Sequence, residues 1–280
     1  MNVPSSFQHI KCPFRQPGYY TSVIAILGES VTLIDTGLQS SPHEAIFPLL
    51  KKFHRSPEEI ENIILTHTHG DHFEGIPSIL EHADASIYVH ELEKHRVVDL
   101  ATRSNFDSSR IKSITHGDIL SMSGHQLEIF HCPGHSAGSV CISDQASQVY
   151  ITGDSIQGQG ENRPLLFYSS IAYAHSVNRL SQRPISTIIS GHPFPPRMQP
   201  ILKDEAVEEL LKVSLNAVND LKERVEQALI HAKRPLSLYD LSRILPDVRP
   251  PSLPTILDEL VAIGTIRRLG RDPESLWLAN

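Results

Sequence analysis

Residues 67 to 72 read His-Thr-His-Gly-Asp-His, which places three imidazoles and one carboxylate within six positions. The apolar residues 63–65 come directly before them and predict a buried strand that ends at a turn. Because alternate residues of an extended chain point the same way, His67 and His69 can share one ion. The pattern therefore constrains this region to a strand that delivers metal-ligand side chains at its carboxyl end.

The residues after this turn predict the start of a helix. Asp71 and His72 follow Gly70, and apolar residues then repeat at helical spacing as far as Leu80. Neighbouring side chains on a helix diverge by about 100°, so this pair suits a second ion beside the first. The amino end of a helix also favours the ionised form of Asp71.

More candidate ligands follow other predicted strands, and each stands in a turn. They are His135 after residues 126–130, Asp154 after residues 149–152, and His192 after residues 185–190. Ligands that collect at the carboxyl ends of strands are typical of sites in α/β proteins. Asp35 ends the strand predicted over residues 31–35, and it is either a carboxylate that orients a ligand histidine or a turn residue of Asp-Thr-Gly.

The whole set of motifs resembles the metallo-β-lactamase-fold hydrolase superfamily over roughly residues 15–200. The resemblance implies an αββα sandwich in which the first ion is bound by His67, His69 and His135, the second by Asp71, His72 and His192, and both by Asp154. One departure is local: many relatives have Gly-His-Gly at the last ligand, whereas this chain has Gly191-His192-Pro193, where proline stiffens the loop.

Near residue 200 the sequence pattern changes from alternating strands and helices to mainly helical spacing. We therefore predict a hydrolase domain over residues 1–200 and a helical, winged-helix-like domain over residues 201–280. Residues 205–232 carry apolar side chains at helical spacing. Ser237 begins a second helix with a capping-box pattern, Ser252 begins a third, and residues 265–278 suggest a hairpin. Superfamily members with such a domain include endoribonucleases and thioesterase-like proteins.

The charge of the C-terminal part argues against a nucleic-acid surface. Residues 200–280 hold 11 Lys and Arg against 13 Asp and Glu, and the whole chain carries a formal charge of −7. Domains that bind duplexes normally show a basic face. We therefore expect this part to pack on the hydrolase domain or to mediate a homodimer, and we keep nucleic acid only as a less favoured partner.

The chemistry predicted from the ligands is hydrolysis. Two divalent cations, zinc by default with manganese or iron as alternatives, can share a hydroxide that attacks a carbonyl or phosphoryl centre. Comparison with the superfamily that the chain resembles implies a small activated acyl substrate: a thioester, a lactone or an ester. Asp154 would orient the nucleophile and Asp71 would shuttle a proton. The alternative function is a metal-dependent endoribonuclease or a nucleic-acid-binding protein that uses the winged helix.

The interval between Asp154 and the last ligand is predicted to line the substrate pocket. Phe167, Tyr168 and Tyr173 give it an apolar and aromatic surface with phenol donors. For the two tyrosines, packing in the core is an equal alternative.

Composition agrees with a cytoplasmic protein. No secretory signal and no run long enough to span a bilayer is visible, and three cysteines give no disulfide framework. The chain holds 16 histidines. We expect seven of them to be ordinary surface or satisfied core residues: His9, His43, His54, His82, His95, His125 and His231.

Overall fold

The computed structural model describes residues 3–14, 18–270 and 275–280, and the chain divides into two compact units. The first unit comprises Met1–Cys132, Gly138–Ser155 and Pro184–Val207. The second comprises Pro133–Ala137, Ile156–Arg183 and Glu208–Asn280. The units are therefore interleaved along the sequence, and the domain boundary that we place at residue 200 stays a prediction.

Two six-stranded mixed sheets form the first unit. The first sheet has the order β1 to β6, with strands Phe7–Pro13, Tyr20–Leu27, Val31–Ile34, Ile60–Ile64, Ser86–His90 and Ile111–Ile114. Its first three strands are antiparallel, and β3 to β6 run parallel. The second sheet has the order β12 to β7, with β7 to β12 at Ile119–Met122, His125–His131, Val140–Asp144, Val149–Gly153, Thr187–Ser190 and Ile201–Lys203. Only β10 and β11 pair in parallel there.

The pleat of the strands divides the core of this unit into two apolar layers. Ile64 packs between the sheets with Ile129 and Ile151, whereas Ile63 and Leu65 point to the opposite face of the first sheet. That outer face is covered by the helices α1 to α4, at Phe47–Lys52, Gly70–Phe73, Ile76–Leu80 and Lys94–Ser104. The sequence predicts one helix that begins at Asp71, whereas the structure divides this segment at Gly75 into α2 and α3.

The second unit is mainly helical. Its helices α5 to α8 are Ser170–Leu180, Glu205–Ala232, Leu238–Ile244 and Ser252–Ala262, and α6 begins within the first unit. Its hairpin is formed by β13 and β14 at Ile266–Leu269 and Leu276–Ala279. The capping box predicted at Ser237 is present, with Asp240 as its second member. The predicted hairpin turn at residues 271–274 lies outside the described residues.

Residues 156–183 are tied to the C-terminal helices by polar contacts within the second unit. The backbone N–H of Leu166 donates to Oγ of Ser252 at 3.0 Å, and Oγ of Ser170 donates to Glu259 at 2.7 Å. The predicted pocket interval is therefore part of a helical body. Within the described ranges, no helix is long and apolar enough to cross a membrane.

Candidate metal centre

The histidine-rich motif begins where β4 ends, as the sequence predicts. Residues 65–69 form an extended turn, and α2 starts at Gly70 with His69 in extended conformation before it. The Nε2 atom of His67 lies 3.1 Å from Nδ1 of His69, which confirms that alternate residues of this turn bring their imidazoles together. The short strand therefore delivers both rings to one place.

Asp35 organises two of the predicted ligands. Its carboxylate accepts hydrogen bonds from the backbone N–H and the hydroxyl of Thr66, both at 2.8 Å, and from Nδ1 of His72 at 2.7 Å. Since the Thr66 hydroxyl donates to Asp35, it accepts from Nδ1 of His67 at 3.1 Å. With Nδ1 engaged on both rings, each imidazole presents Nε2 as its ligating nitrogen. Asp35 also adopts the left-handed conformation, with φ of 63°.

Asp71, His72 and His192 form one group of potential ligands. One donor atom from each lies within 4.8 Å of the others, and Nε2 of His192 is 3.1 Å from Oδ2 of Asp71. The Nδ1 atom of His192 donates to the backbone carbonyl of Tyr20 at 2.9 Å, which fixes the ring. Thr21 donates its hydroxyl to Asp71 at 3.1 Å. The side-chain orientations needed to bind an ion are thus held by neighbouring groups.

Asp154 lies between this group and the histidine-rich turn. Its Oδ1 is 3.5 Å from Nε2 of His72, and its Oδ2 is 3.5 Å from Nε2 of His192. Asp154, His67 and His72 also have donor atoms within 4.8 Å of one another. The resemblance assigns His67 to the first ion and His72 to the second, so Asp154 lies where a bridging carboxylate would be needed.

Two glycines permit this close approach. A Cβ at Gly191 would overlap Oδ1 of Asp154, and a Cβ at Gly153 would overlap the hydroxyl of Thr66. Gly153 also has a positive φ of 48°. Larger residues at either position would push the strand ends and their ligands apart.

His135 belongs to the second unit and is oriented there. Its Nδ1 donates to the carbonyl of Leu165 at 2.7 Å, so in the neutral ring Nε2 carries the free lone pair. The amide Nε2 of Gln157 donates a hydrogen bond to the same carbonyl at 3.0 Å, and its Oε1 accepts one from the backbone N–H of Leu165 at 2.8 Å. The loop at residues 156–165 therefore sets the orientation of this histidine.

The three predicted pocket residues differ in exposure. Phe167 and Tyr168 are 49% and 52% exposed, and the ring of Phe167 contacts that of His135 edge to face at 5.6 Å. Tyr173 is fully buried, and its hydroxyl accepts from the backbone N–H of Gln157 at 3.2 Å. Tyr173 thus supports the loop that orients His135, while contact of any of the three with substrate stays a prediction.

The electrostatics of the cluster call for a cation. Burial lowers the pKa of His72, but the carboxylates of Asp71, Asp35 and Asp154 outweigh it and hold this pKa well above the ordinary value. The pKa of His192 is also raised, although burial tends to lower it. The pKa of Asp71 is lowered, although burial tends to raise it. Among the described residues, the buried Nε2 of His72 has no hydrogen-bond partner. A divalent cation with a preference for nitrogen and oxygen donors would satisfy this atom and the surrounding carboxylates.

Sequence reasoning missed one supporting carboxylate. Glu93 is buried and accepts hydrogen bonds from the backbone N–H and hydroxyl of Thr68, both at 2.7 Å, and from the N–H of Gly138 at 3.0 Å. It therefore holds the turn between His67 and His69. No local signal marks this residue, because it stands in a charge-rich segment that is typical of an exposed surface.

Curated relatives match part of the chain. "Lactamase-like protein notP" of Aspergillus sp. strain MF297-2 is 30% identical over 152 residues, which is 53% of this chain and 42% of that protein. A hydroxyacylglutathione hydrolase of Jannaschia sp. strain CCS1 is 27% identical over 137 residues, which is 48% of this chain and 49% of that protein. The chain thus spans less than half the length of each of these two relatives.

A solved structure supports the fold over nearly the whole chain. A metallo-beta-lactamase family protein from Thermus thermophilus superposes with a TM-score of 0.72 at 18% identity, over 98% of this chain and 99% of that one. The profile of the metallo-beta-lactamase superfamily matches residues 16–192, a range that includes every predicted ligand. From this match and the mixed sheets that carry the ligands, we conclude that the chain belongs to the metallo-beta-lactamase superfamily.

Proposed function

We propose that the protein is a dinuclear metal-dependent hydrolase that acts on a small activated acyl substrate, with thioesters favoured over lactones and simple esters. The observation that supports the proposal is the position of Asp154, which has a donor atom within 4.8 Å of donor atoms of His67 and His72, proposed ligands of different cations. In the proposed ligand set, the first cation is held by His67, His69 and His135, the second by Asp71, His72 and His192, and both by Asp154.

Bound divalent cations would supply a water of lowered pKa and a Lewis acid for the substrate oxygen, with zinc as the expected metal and manganese or iron as alternatives. The residues of the chain supply the geometry. Asp35 and the carbonyls of Tyr20 and Leu165 each engage a ligand histidine through Nδ1. Asp154 would accept a hydrogen bond from the attacking water, and Asp71 would take up a proton on the side of His192.

The preference for thioesters draws on a relative. The matched protein of Jannaschia is named a hydroxyacylglutathione hydrolase, and the substrate in that name is an acyl thioester. The exposed ring of Phe167 beside His135 offers an apolar surface that suits an acyl chain. Both observations favour a carbonyl centre over a phosphodiester.

A substrate panel tests the function directly. Metal-loaded protein is given acyl thioesters, lactones, simple esters and RNA oligomers, and each reaction is repeated after chelation and after zinc is restored. We expect thioester hydrolysis that is lost with the metal and returns with it, and no such activity in Asp154→Asn. Cleavage of RNA without turnover of any acyl substrate would overturn the proposal in favour of an endoribonuclease.

We also propose that the C-terminal part is a winged-helix-like module that serves self-association rather than nucleic-acid binding. Its supporting features are α7, α8 and the β13–β14 hairpin, together with the slightly acidic balance of residues 200–280. Sedimentation of the full chain should show a homodimer. Salt-dependent retention on immobilised RNA would contradict this role, because phosphate contacts weaken steeply with ionic strength.

A further inference from the structure

A second group of potential metal ligands lies on the outer, helix-covered side of the first unit. His43 stands in the helical turn Pro42–Ile46, and Glu81 and His82 directly follow α3. One donor atom from each of these three residues lies within 4.8 Å of the others, and all three side chains are exposed. The sequence predicted both histidines as ordinary surface or core residues, because nothing along the chain links position 43 to positions 81 and 82.

The two imidazoles of this group are held in place by one aromatic ring. Phe47 meets the ring of His43 at 5.1 Å and that of His82 at 5.3 Å, both edge to face, and the two imidazoles are 5.9 Å apart. The backbone beneath them is also fixed, since the N–H of Glu81 donates to the carbonyl of Pro77 at 3.1 Å. The rotamers that bring the donor atoms together are therefore restrained by packing, which lowers the entropy cost of binding an ion.

Other exposed histidines lack this arrangement. Among the described residues, His95 and His231 belong to no group of three or more metal-donor side chains. The grouping at position 43 is therefore not a general consequence of a histidine-rich surface. A set of two imidazoles and one carboxylate matches the donor preference of zinc and its first-row neighbours.

We propose that His43, Glu81 and His82 bind a divalent cation of the zinc class, at a site separate from the central cluster. Three protein ligands leave the fourth tetrahedral position to water or to a small anion. The ion joins the turn at Pro42–Ile46 to the end of α3, so binding stabilises this part of the outer helical layer by linkage. The site needs no contribution from the central ligands and does not depend on the proposed hydrolysis.

A zinc titration of four proteins tests the site: wild type, His43→Ala, His82→Ala and the control His95→Ala. Each is prepared without an affinity tag and titrated with zinc at pH 7.5 against a chromophoric chelator. We expect wild type and the control to bind one more equivalent than the two site variants, or to bind it at least about tenfold more tightly. Thermal unfolding is recorded in parallel, and added zinc should raise the Tm of wild type and control by more than that of the site variants.

The outcomes separate this site from the central centre, because the measurement is a difference between variants that share the same central ligands. Hydrolysis by His43→Ala and His82→Ala should equal that of wild type. Equal zinc stoichiometry and affinity in all four proteins would overturn the site. The double variant His43→Ala/His82→Ala is titrated as a fifth protein, and an extra equivalent that persists in it would overturn the site as well, since the ion would then be bound elsewhere.

Discussion

The central cluster and the peripheral group of His43, Glu81 and His82 use the same donor atoms in opposite settings. In the central cluster the ligand rings are mostly buried, and His72 donates Nδ1 to the Asp35 carboxylate at 2.7 Å. In the peripheral group the side chains are exposed, and the two rings are restrained by apolar contact with Phe47. We therefore expect the central cluster to bind a cation more tightly than the peripheral group, because hydrogen bonds behind the ligands and the exclusion of water strengthen a metal site.

Loss of Asp154 should have the largest effect on the central cluster. Asp154→Ala removes the carboxylate that faces both His72 and His192, so we expect metal content and kcat/KM to fall together, the latter at least about a hundredfold. Elemental analysis and thioester turnover give the two readouts. The matched control is Asp144→Ala, which removes a buried carboxylate bound to His125 and Ser147, away from the ligands. If Asp154→Ala retained two metals and full turnover, its bridging role would be wrong.

Removal of Asp35 tests whether hydrogen bonds to the ligand histidines distinguish the central cluster from the peripheral group. Asp35→Ala deletes the acceptor of His72 Nδ1 and of both Thr66 donors, while no proposed ligand is changed. We expect the zinc affinity of the central cluster to fall about 10-fold to 100-fold, because supporting partners of ligand histidines contribute on that scale. Competition with a chelator measures it. Wild-type affinity in this variant would show that hydrogen-bonded support is not what distinguishes the central cluster.

Glu93 should matter less, because it acts on the turn and not on a ligand ring. Glu93→Gln replaces one acceptor oxygen by a donor amide opposite the N–H groups of Thr68 and Gly138. We expect the free energy of unfolding to fall by about 1–3 kcal/mol, as for a buried polar group left unsatisfied, with a smaller loss of zinc affinity than in Asp35→Ala. Urea unfolding measures the first quantity. Glu91→Gln, an exposed neighbour, is the control and should leave both unchanged.

The contrast between these carboxylates also shows what the sequence could predict. Asp35 and most proposed ligands stand in turns directly after predicted strands, and Asp71 and His72 stand at the predicted start of a helix, so local patterns indicated these positions. Their assignment to two ions came from the family resemblance. Glu93 and Thr21 act on the motif from distant positions through single hydrogen bonds, and nothing in their own neighbourhoods records it. The peripheral group was missed for the same reason, since its members meet only after the chain has folded.

For secondary structure, too, the elements marked by a local sequence pattern were predicted and the others were missed. Strands with continuous apolar residues and the long helix α6 were predicted, and α6 has the predicted bounds, Glu205–Ala232. The helices α4 and α5 were not, because α4 buries only Val97, Leu100 and Ala101 within a charged segment, and α5 lies in an interval that was interpreted as pocket lining. The association of residues 156–183 with the C-terminal helices depends on contacts such as Leu166 to Ser252, which no local pattern encodes.

The stacked pair of His90 and His131 lies outside both groups of potential ligands and is expected to give the smallest effect, a change in how stability depends on pH. His90 and His131 stack at 4.1 Å, and Nδ1 of His90 accepts the N–H of Leu92 at 3.3 Å. Burial, with the charge of His131, lowers the pKa of His90 to about 4, whereas carboxylates raise that of His72. The lowered pKa keeps the His90 ring neutral, and, within the described part of the chain, neither His90 nor His131 belongs to a group of three or more potential metal ligands.

The sign of the pH effect at His90 follows from its lowered pKa. The unfolded chain binds a proton near pH 6.5 and the folded chain only near pH 4, so the stability that neutral His90 contributes is present above pH 6.5 and is lost as the pH falls toward 4. His90→Gln should therefore lose less stability than wild type between pH 7 and pH 4.5. Urea unfolding of chelator-treated proteins at both values measures the difference, with His95→Gln as the exposed control. An identical acid dependence in His90→Gln and wild type would show that His90 takes up its proton equally easily in the folded and unfolded chains, and that burial does not lower its pKa in the folded protein.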